Sequence, residues 1–272
     1  MTVIQSILLH LDSSALCAER ARIAHRLAQQ FSAQVSAVYS VTPSVLRYPM
    51  GLDGPAGALG LEEYDAQCRR DAGRLLRDVD ANVERMRWED VPGDAIAEFE
   101  RRAFYADLVV LGQRANDSAL AAQTPADFVP RLVVHSGRPC LVVPCVGSFP
   151  VVGRTVVIAW KQTREAAQAV TASLPWLRTA QAVHALGYGE GAADPLTRLQ
   201  AYLQGHHVNI TIHPDPGRDV DVGEDLLSRS ADLAADLMVM GCYGRSRARE
   251  WVLGGVSRSV LRGMTIPVLM AH

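Results

Sequence analysis

The chain has 272 residues, 49% of them hydrophobic and 21% charged, which is enough apolar material for one large core or two ordinary ones. A net charge of −2 gives no electrostatic footprint for nucleic acid or for an anionic membrane. No apolar run reaches the length of a bilayer span, and Asp12 stands where a signal peptide would continue, so the reading is of a soluble, cytoplasmic protein.

In chain order, residues 4–11 are an apolar run that predicts a strand ending at Asp12. Ser13 or Ser14 then caps a helix to about Gln30, whose Ala21, Ala24, Leu27, Ala28 and Phe31 fall at helical spacing. Residues 34–41 read as the second strand. Residues 43–60, rich in proline and glycine and without periodicity, predict a long loop. The charge-studded stretch from 61 to about 83 predicts a helix with a solvated face, residues 83–89 are weakly strand-like, and Gly93 and Asp94 open a helix through Ile96, Ala97, Phe99 and Ala103. Residues 108–111 form the next buried strand.

The second half repeats this order. Strands are expected at 155–160, 181–186, 208–213 and around Met238, and helices at 165–177, 194–204 and 223–235, with Gly187, Gly189 and Gly191 in a mobile connection. Two local matches make the repeat explicit. ADLVVLGQR at 106–114 matches ADLMVMGCY at 235–243, and GRPCLVVP at 137–144 matches MTIPVLMA at 264–271. Both lie at nearly one offset, which indicates a duplication into domains 1–146 and 154–272, separated where Gly147, Pro150 and Gly153 break any pattern. Strands alternating with helices imply parallel sheets with right-handed crossovers, hence two doubly wound α/β domains of five strands each. Ligands of such sheets bind outside the carboxyl ends of the strands, which gathers Ala159, Trp160, Lys161, Leu186 and Gly241 around one crevice.

In 236–259 a buried strand ends at Gly241, Gly244 follows three residues later, and Gly254 and Gly255 precede a helical pattern of Val256, Val260 and Leu261. Glycines there let the backbone turn and approach a ligand, and a helix N-terminus favours phosphate. The spacing GxxGx9G, followed by the closing strand TIPVLMAH, resembles the nucleotide loop of the universal stress protein family, and the resemblance covers nearly the whole chain as two tandem domains.

That resemblance implies an adenine nucleotide alpha hydrolase-like fold and a stress-response module that binds ATP or a similar nucleotide in its C-terminal domain, with Mg present only alongside the nucleotide. The site it implies comprises Gly241, Gly244, Arg245, Gly254, Gly255, Val256 and Ser257, beside the crevice residues above. It also implies an internal pseudo-dimer in which 140–143 runs antiparallel to 268–271.

Three departures modify the expectation. Gly255 stands where the ATP-binding branch has Ser or Thr, with Ser257 matching a second Ser/Thr. Lys161 replaces the base-contacting aspartate that the first domain keeps at Asp12, and it could pair with phosphate or with Glu165. In the first domain Ala115 stands where the second glycine belongs, so that domain is expected to bind no triphosphate and Asp12 to cap a helix.

Arg245, Arg247 and Arg249 serve either a triphosphate or an ordinary exposed loop, and Asp221 and Asp225 either assist a metal ion or cap a helix. Five cysteines without a CxxC pair argue against a disulfide framework and a structural zinc site, leaving Cys242 as the one candidate for reactivity. Of the eight histidines none has metal spacing on a helix face, and His10 and His184 read as packed core residues. No catalytic motif appears, so a binding or signalling module outranks a slow nucleotide hydrolase, with a ligand-free scaffold the third reading. A protein partner and a homodimer are left open.

Overall fold

The computed structural model describes residues 4–14, 16–48, 55–80, 84–91, 94–114, 122–216, 221–242 and 255–272. Gly244, Arg245, Arg247, Arg249, Gly254 and Ala115 therefore lie outside the described residues. The chain divides into two compact units, Ile4–Leu132 and Val133–His272.

The N-terminal unit carries β1 (Ser6–Leu11), α1 (Cys17–Phe31), β2 (Gln34–Tyr39), α2 (Ser44–Arg47), α3 (Pro55–Val79), β3 (Met86–Glu89), α4 (Ala95–Ala103) and β4 (Leu108–Gly112). Its strands pair in parallel in the order β3-β2-β1-β4. β1 and β4 are almost wholly buried, which is why both read as continuous apolar runs. Asp94 caps α4, accepting from the backbone N–H groups of Ile96 and Ala97.

The expected loop at 43–60 contains α2 and the first turn and a half of α3. Proline is compatible with a first helical turn because its fixed φ suits the helix and its missing N–H would be unbonded there, so Pro55 begins α3 and does not break it. Asp65 on α3 ties α2 down, accepting from the Ser44 backbone N–H at 2.7 Å.

The C-terminal unit continues through β5 (Cys140–Val143), β6 (Thr155–Ala159), α6 (Arg164–Leu177), β7 (Ala182–Tyr188), α7 (Ala193–Gly205), β8 (Thr211–Asp215), α8 (Val222–Asp232), β9 (Leu237–Gly241), α9 (Gly255–Gly263) and β10 (Val268–Ala271), with α5 (Phe128–His135) leading into it. Five strands, β10-β9-β6-β7-β8, pair in parallel as expected. β5 adds a sixth, antiparallel to β10, with Leu269 opposite Leu141. Both partners are fully buried, so the expected strand pairing is present and neither apolar edge is left open.

Gly187 belongs to β7 and not to a mobile connection. A Cβ at Gly187 would lie 3.0 Å from Leu196 Cδ1, so glycine lets α7 sit close on the sheet. The turn comes two residues later, where Gly189 and Gly191 take φ of 104° and 74°.

Candidate functional site

In the C-terminal unit β6 lies between β7 and β9, and the connections leave it in opposite directions. The carboxyl ends of β6 and β9 therefore border a crevice at the point where the strand order reverses. Trp160 continues off β6 with its N–H donating to Leu186 O at 2.8 Å, which fixes the place where the chain leaves the sheet. Thr163 then caps α6, its hydroxyl accepting from Ala166 N at 3.3 Å. This tight turn leaves Lys161 exposed and Glu165 buried at 3% exposure.

Gly241 has a packing role that sequence reading missed. A Cβ there would fall 2.4 Å from Ala166 N and 2.6 Å from Glu165 C, and its φ is not left-handed. Glycine at this strand exit admits the backbone of the α6 N-terminus. At Gly255, the first residue of α9, a Cβ would meet nothing within 4 Å among the described residues. Val256 is half-buried and Ser257 is buried. α9 is set against α8 through Gly223, where a Cβ would meet Ser259 Cβ at 2.5 Å.

Glu165 forms its ion pair with Arg164 at 3.4 Å and not with Lys161. Burial works to raise its pKa, but its own backbone N–H, the Thr163 hydroxyl, and the charges of Arg164 and His272 outweigh burial and hold it below the usual carboxylate range. Its Oε2 and the Trp160 indole N–H are both buried without a hydrogen-bond partner among the described residues. Asp221 caps α8, accepting from Gly223 N at 2.7 Å, and Asp225 accepts from the Tyr188 hydroxyl at 2.8 Å, so both aspartates have structural partners. Cys242 is buried, and burial pushes its thiol up to about 12, which is the opposite of a reactive thiolate.

The corresponding place in the N-terminal unit is filled by the protein itself. Asp12 does not cap α1, whose N-cap is Leu16 with no side-chain hydrogen bond. Asp12 instead accepts from Ser14 N at 2.9 Å and Ser14 Oγ at 2.6 Å, and Arg20 Nη2 lies 2.9 Å from its Oδ1. Burial alone would raise the Asp12 carboxyl, but the Arg20 guanidinium overrides it and holds the pKa far below the ordinary value. Arg20, 3% exposed, also donates from Nε to His10 O, and its Nη1 would lie 2.0 Å from a Cβ at Gly112. Gln123 bridges the same strand ends, its side chain accepting from Ser13 N and its backbone carbonyl from Thr42 N. Arg20 and Gln123 were not singled out from the sequence. The available signal for Arg20 is a charge on the apolar stripe of α1, one and two turns before Ala24 and Leu27.

These arrangements define a doubly wound α/β protein in which the Asp12–Arg20 pair occupies the strand exits of the N-terminal unit. The pattern described as the Universal stress protein family matches residues 4–144 and again 156–272, and the chain belongs to that family in a tandem two-domain form. A curated relative, Universal stress protein Slr1230 of Synechocystis, is 26% identical over 176 residues, covering 60% of this chain and 57% of that protein's length. A solved universal stress protein from Archaeoglobus fulgidus shares the fold, with a TM-score of 0.74 at 15% identity over 100% of this chain and 98% of its own. A second, from Pseudomonas aeruginosa, gives 0.60 at 14% identity over 99% and 94%.

Proposed function

We propose that this protein is a stress-response module whose C-terminal repeat binds a nucleotide, ATP or similar, and whose N-terminal repeat does not. The observation that carries this reading is the pair of buried, unpartnered groups at the exit of β6: a donor, Trp160 Nε1, and an acceptor, Glu165 Oε2. An unsatisfied buried polar atom costs about 1–3 kcal/mol, so a ligand offering both an acceptor and a donor is the natural complement. A ribose or a nucleobase offers both; a bare phosphate offers only acceptors.

Glu165 repels phosphate, so the phosphates belong further along, at the α9 N-terminus. There the N–H groups of Gly255 and Val256 begin a helix, and space is open at the Gly255 Cα among the described residues. Lys161, exposed at the mouth, adds a positive charge without an acceptor, which favours phosphate over the base. Gly244, Arg245 and Gly254 complete this site in the proposal, with Ala159 and Leu186 as its backbone walls. The action is binding or signalling.

Mass spectrometry of small molecules released by denaturing the purified protein, followed by calorimetry with ATP, tests the reading. A released nucleotide, or a saturable ATP isotherm abolished by Gly244→Val, supports it. No ligand and no heat at millimolar ATP would leave the scaffold reading in its place.

A further inference from the structure

On the C-terminal sheet, His184 of β7 and His213 of β8 are diagonal neighbours, since His184 stands opposite Thr211 and Leu186 opposite His213. Their rings lie 5.2 Å apart between centroids, and His184 Nδ1 is 3.1 Å from His213 Nε2. Both side chains are half-buried, so one side of the pair reaches solvent. The geometry points to a two-imidazole site for a borderline divalent transition metal such as Cu(II), Ni(II) or Zn(II).

The distance carries the argument. Imidazole nitrogens bind such metals at about 2.0–2.1 Å, so two of them on one ion stand about 3.0 Å apart at a right angle and about 3.4 Å apart at a tetrahedral one. The observed separation, a hydrogen bond between the two rings without metal, falls inside that interval on two adjacent strands of one sheet, so an ion would replace the bridging proton without changing the spacing of the nitrogens. Two neutral nitrogens facing one another cannot both be donors, so one of them already carries a lone pair. Shifting the remaining inner proton to the outer nitrogen of the same ring frees the second lone pair. The metal then gains two nitrogens and loses two waters, with no change in net protonation of a neutral pair.

No third His, Cys, Asp or Glu joins them in a metal-holding group among the described residues, so water completes the coordination. Arg229, whose charge bears on His213, is 3.4 Å from Asp215, which answers part of that charge. Imidazole with open positions suits Cu(II) and Ni(II) best and oxygen-seeking Mg or Ca poorly. The site lies apart from the unpartnered pair at Trp160 and Glu165 and does not depend on nucleotide binding.

Electron paramagnetic resonance of the tag-free full chain with one equivalent of Cu(II) tests this without any substitution, and coupling to two imidazole nitrogens is expected. Nickel calorimetry on His184→Asn, His213→Asn and the double variant should show at least a tenfold loss for each single change, with little further loss in the double. His206→Asn together with His207→Asn should leave binding unchanged, and melting without metal should confirm that the variants are folded. A Cu(II) spectrum with fewer than two coupled nitrogens, single variants that bind as the parent does, or loss confined to the 206/207 variant would overturn the site.

Discussion

The two repeats end their fourth strands alike and use the space there in opposite ways. Gly112 closes β4 and Gly241 closes β9, and in neither case is the missing Cβ explained by a left-handed φ. At Gly112 the space admits the Arg20 guanidinium, which neutralises Asp12 and takes up room at the strand exits; at Gly241 it admits the α6 backbone. The same glycine admits a side chain in one repeat and a helix backbone in the other, so a glycine at a strand exit is weak evidence for a ligand. What differs is what the neighbouring helix brings: α1 brings a cation, Arg20, that pairs with Asp12 at the strand exit, whereas α6 brings a buried carboxylate, Glu165, paired with its exposed neighbour Arg164.

The largest expected effect breaks the closed repeat. Arg20→Leu leaves the half-buried Asp12 carboxylate without its buried cation; removing one partner of a fully buried pair costs about 3–5 kcal/mol, and the lower end applies here. Adding Asp12→Asn should recover much of that loss, because the uncompensated charge is gone. Urea unfolding of the two variants decides it. Equal stability of the single and double variants would mean that the pair contributes packing and not charge compensation.

Gly241→Ala follows. The added methyl meets backbone at 2.4 Å, where no rotamer can relieve it, and overpacking of this kind costs about 1–3 kcal/mol. Gly112→Ala meets only the far end of a side chain and should cost less, provided that Arg20 can shift. Thermal melts that rank Gly112→Ala as the worse of the two would show that the Arg20 position is the less yielding.

Acid should also distinguish the repeats. Burial lowers the His10 pKa to about 4, with the ring packed against Phe99 and Phe128 and its Nε2–H donating to Ser40 O. A folded-state pKa below the unfolded value means that the unfolded state binds the proton first as pH falls. The stability tied to His10 is therefore full above about pH 6.5 and is lost progressively down to about pH 4, on the order of 3 kcal/mol in all. Asp12 and Glu165 are both depressed carboxyls and contribute losses only below their ordinary ranges. Protection factors from amide exchange, corrected for the intrinsic rate at each pH, should fall in β1 and β2 between pH 7 and 5 while β6 keeps its protection, and the fall should vanish in His10→Gln. β7 and β8 are left out of the comparison because burial also lowers the His213 pKa.

The strands were legible because a strand buried on both faces must be a continuous apolar run, as at 108–111 and 237–240. The duplication was legible because two such runs recur at one offset. Residues whose meaning depends on a partner distant in sequence were not. Gly187 looks like a hinge until Leu196 is placed against it, and His184 and His213, 29 residues apart, show no metal spacing until their strands pair. Arg20 and Glu165 look like ordinary helix polar residues, and only their place on an apolar stripe marks them. The glycine spacing identified the family correctly and gave no sign of the packing role of Gly241.

The smallest expected effect is the sharpest test of the open repeat. A serine at Gly255 should not disturb the fold, because its Cβ would meet nothing within 4 Å among the described residues, and melting is expected to change by no more than about 0.5 kcal/mol. A hydroxyl there would offer one more hydrogen bond to phosphate, worth about 1.5 kcal/mol with a charged acceptor, or roughly tenfold in affinity. Lys161→Asp exchanges a donor for an acceptor at the exposed mouth, so it should lower phosphate attraction and its salt dependence while raising discrimination among bases. Calorimetry with ATP and GTP on each variant separates the two effects. If Gly255→Ser binds no more tightly and Lys161→Asp discriminates no better, the open space at the head of α9 is not where phosphate goes, and the contrast between the repeats would be one of packing alone.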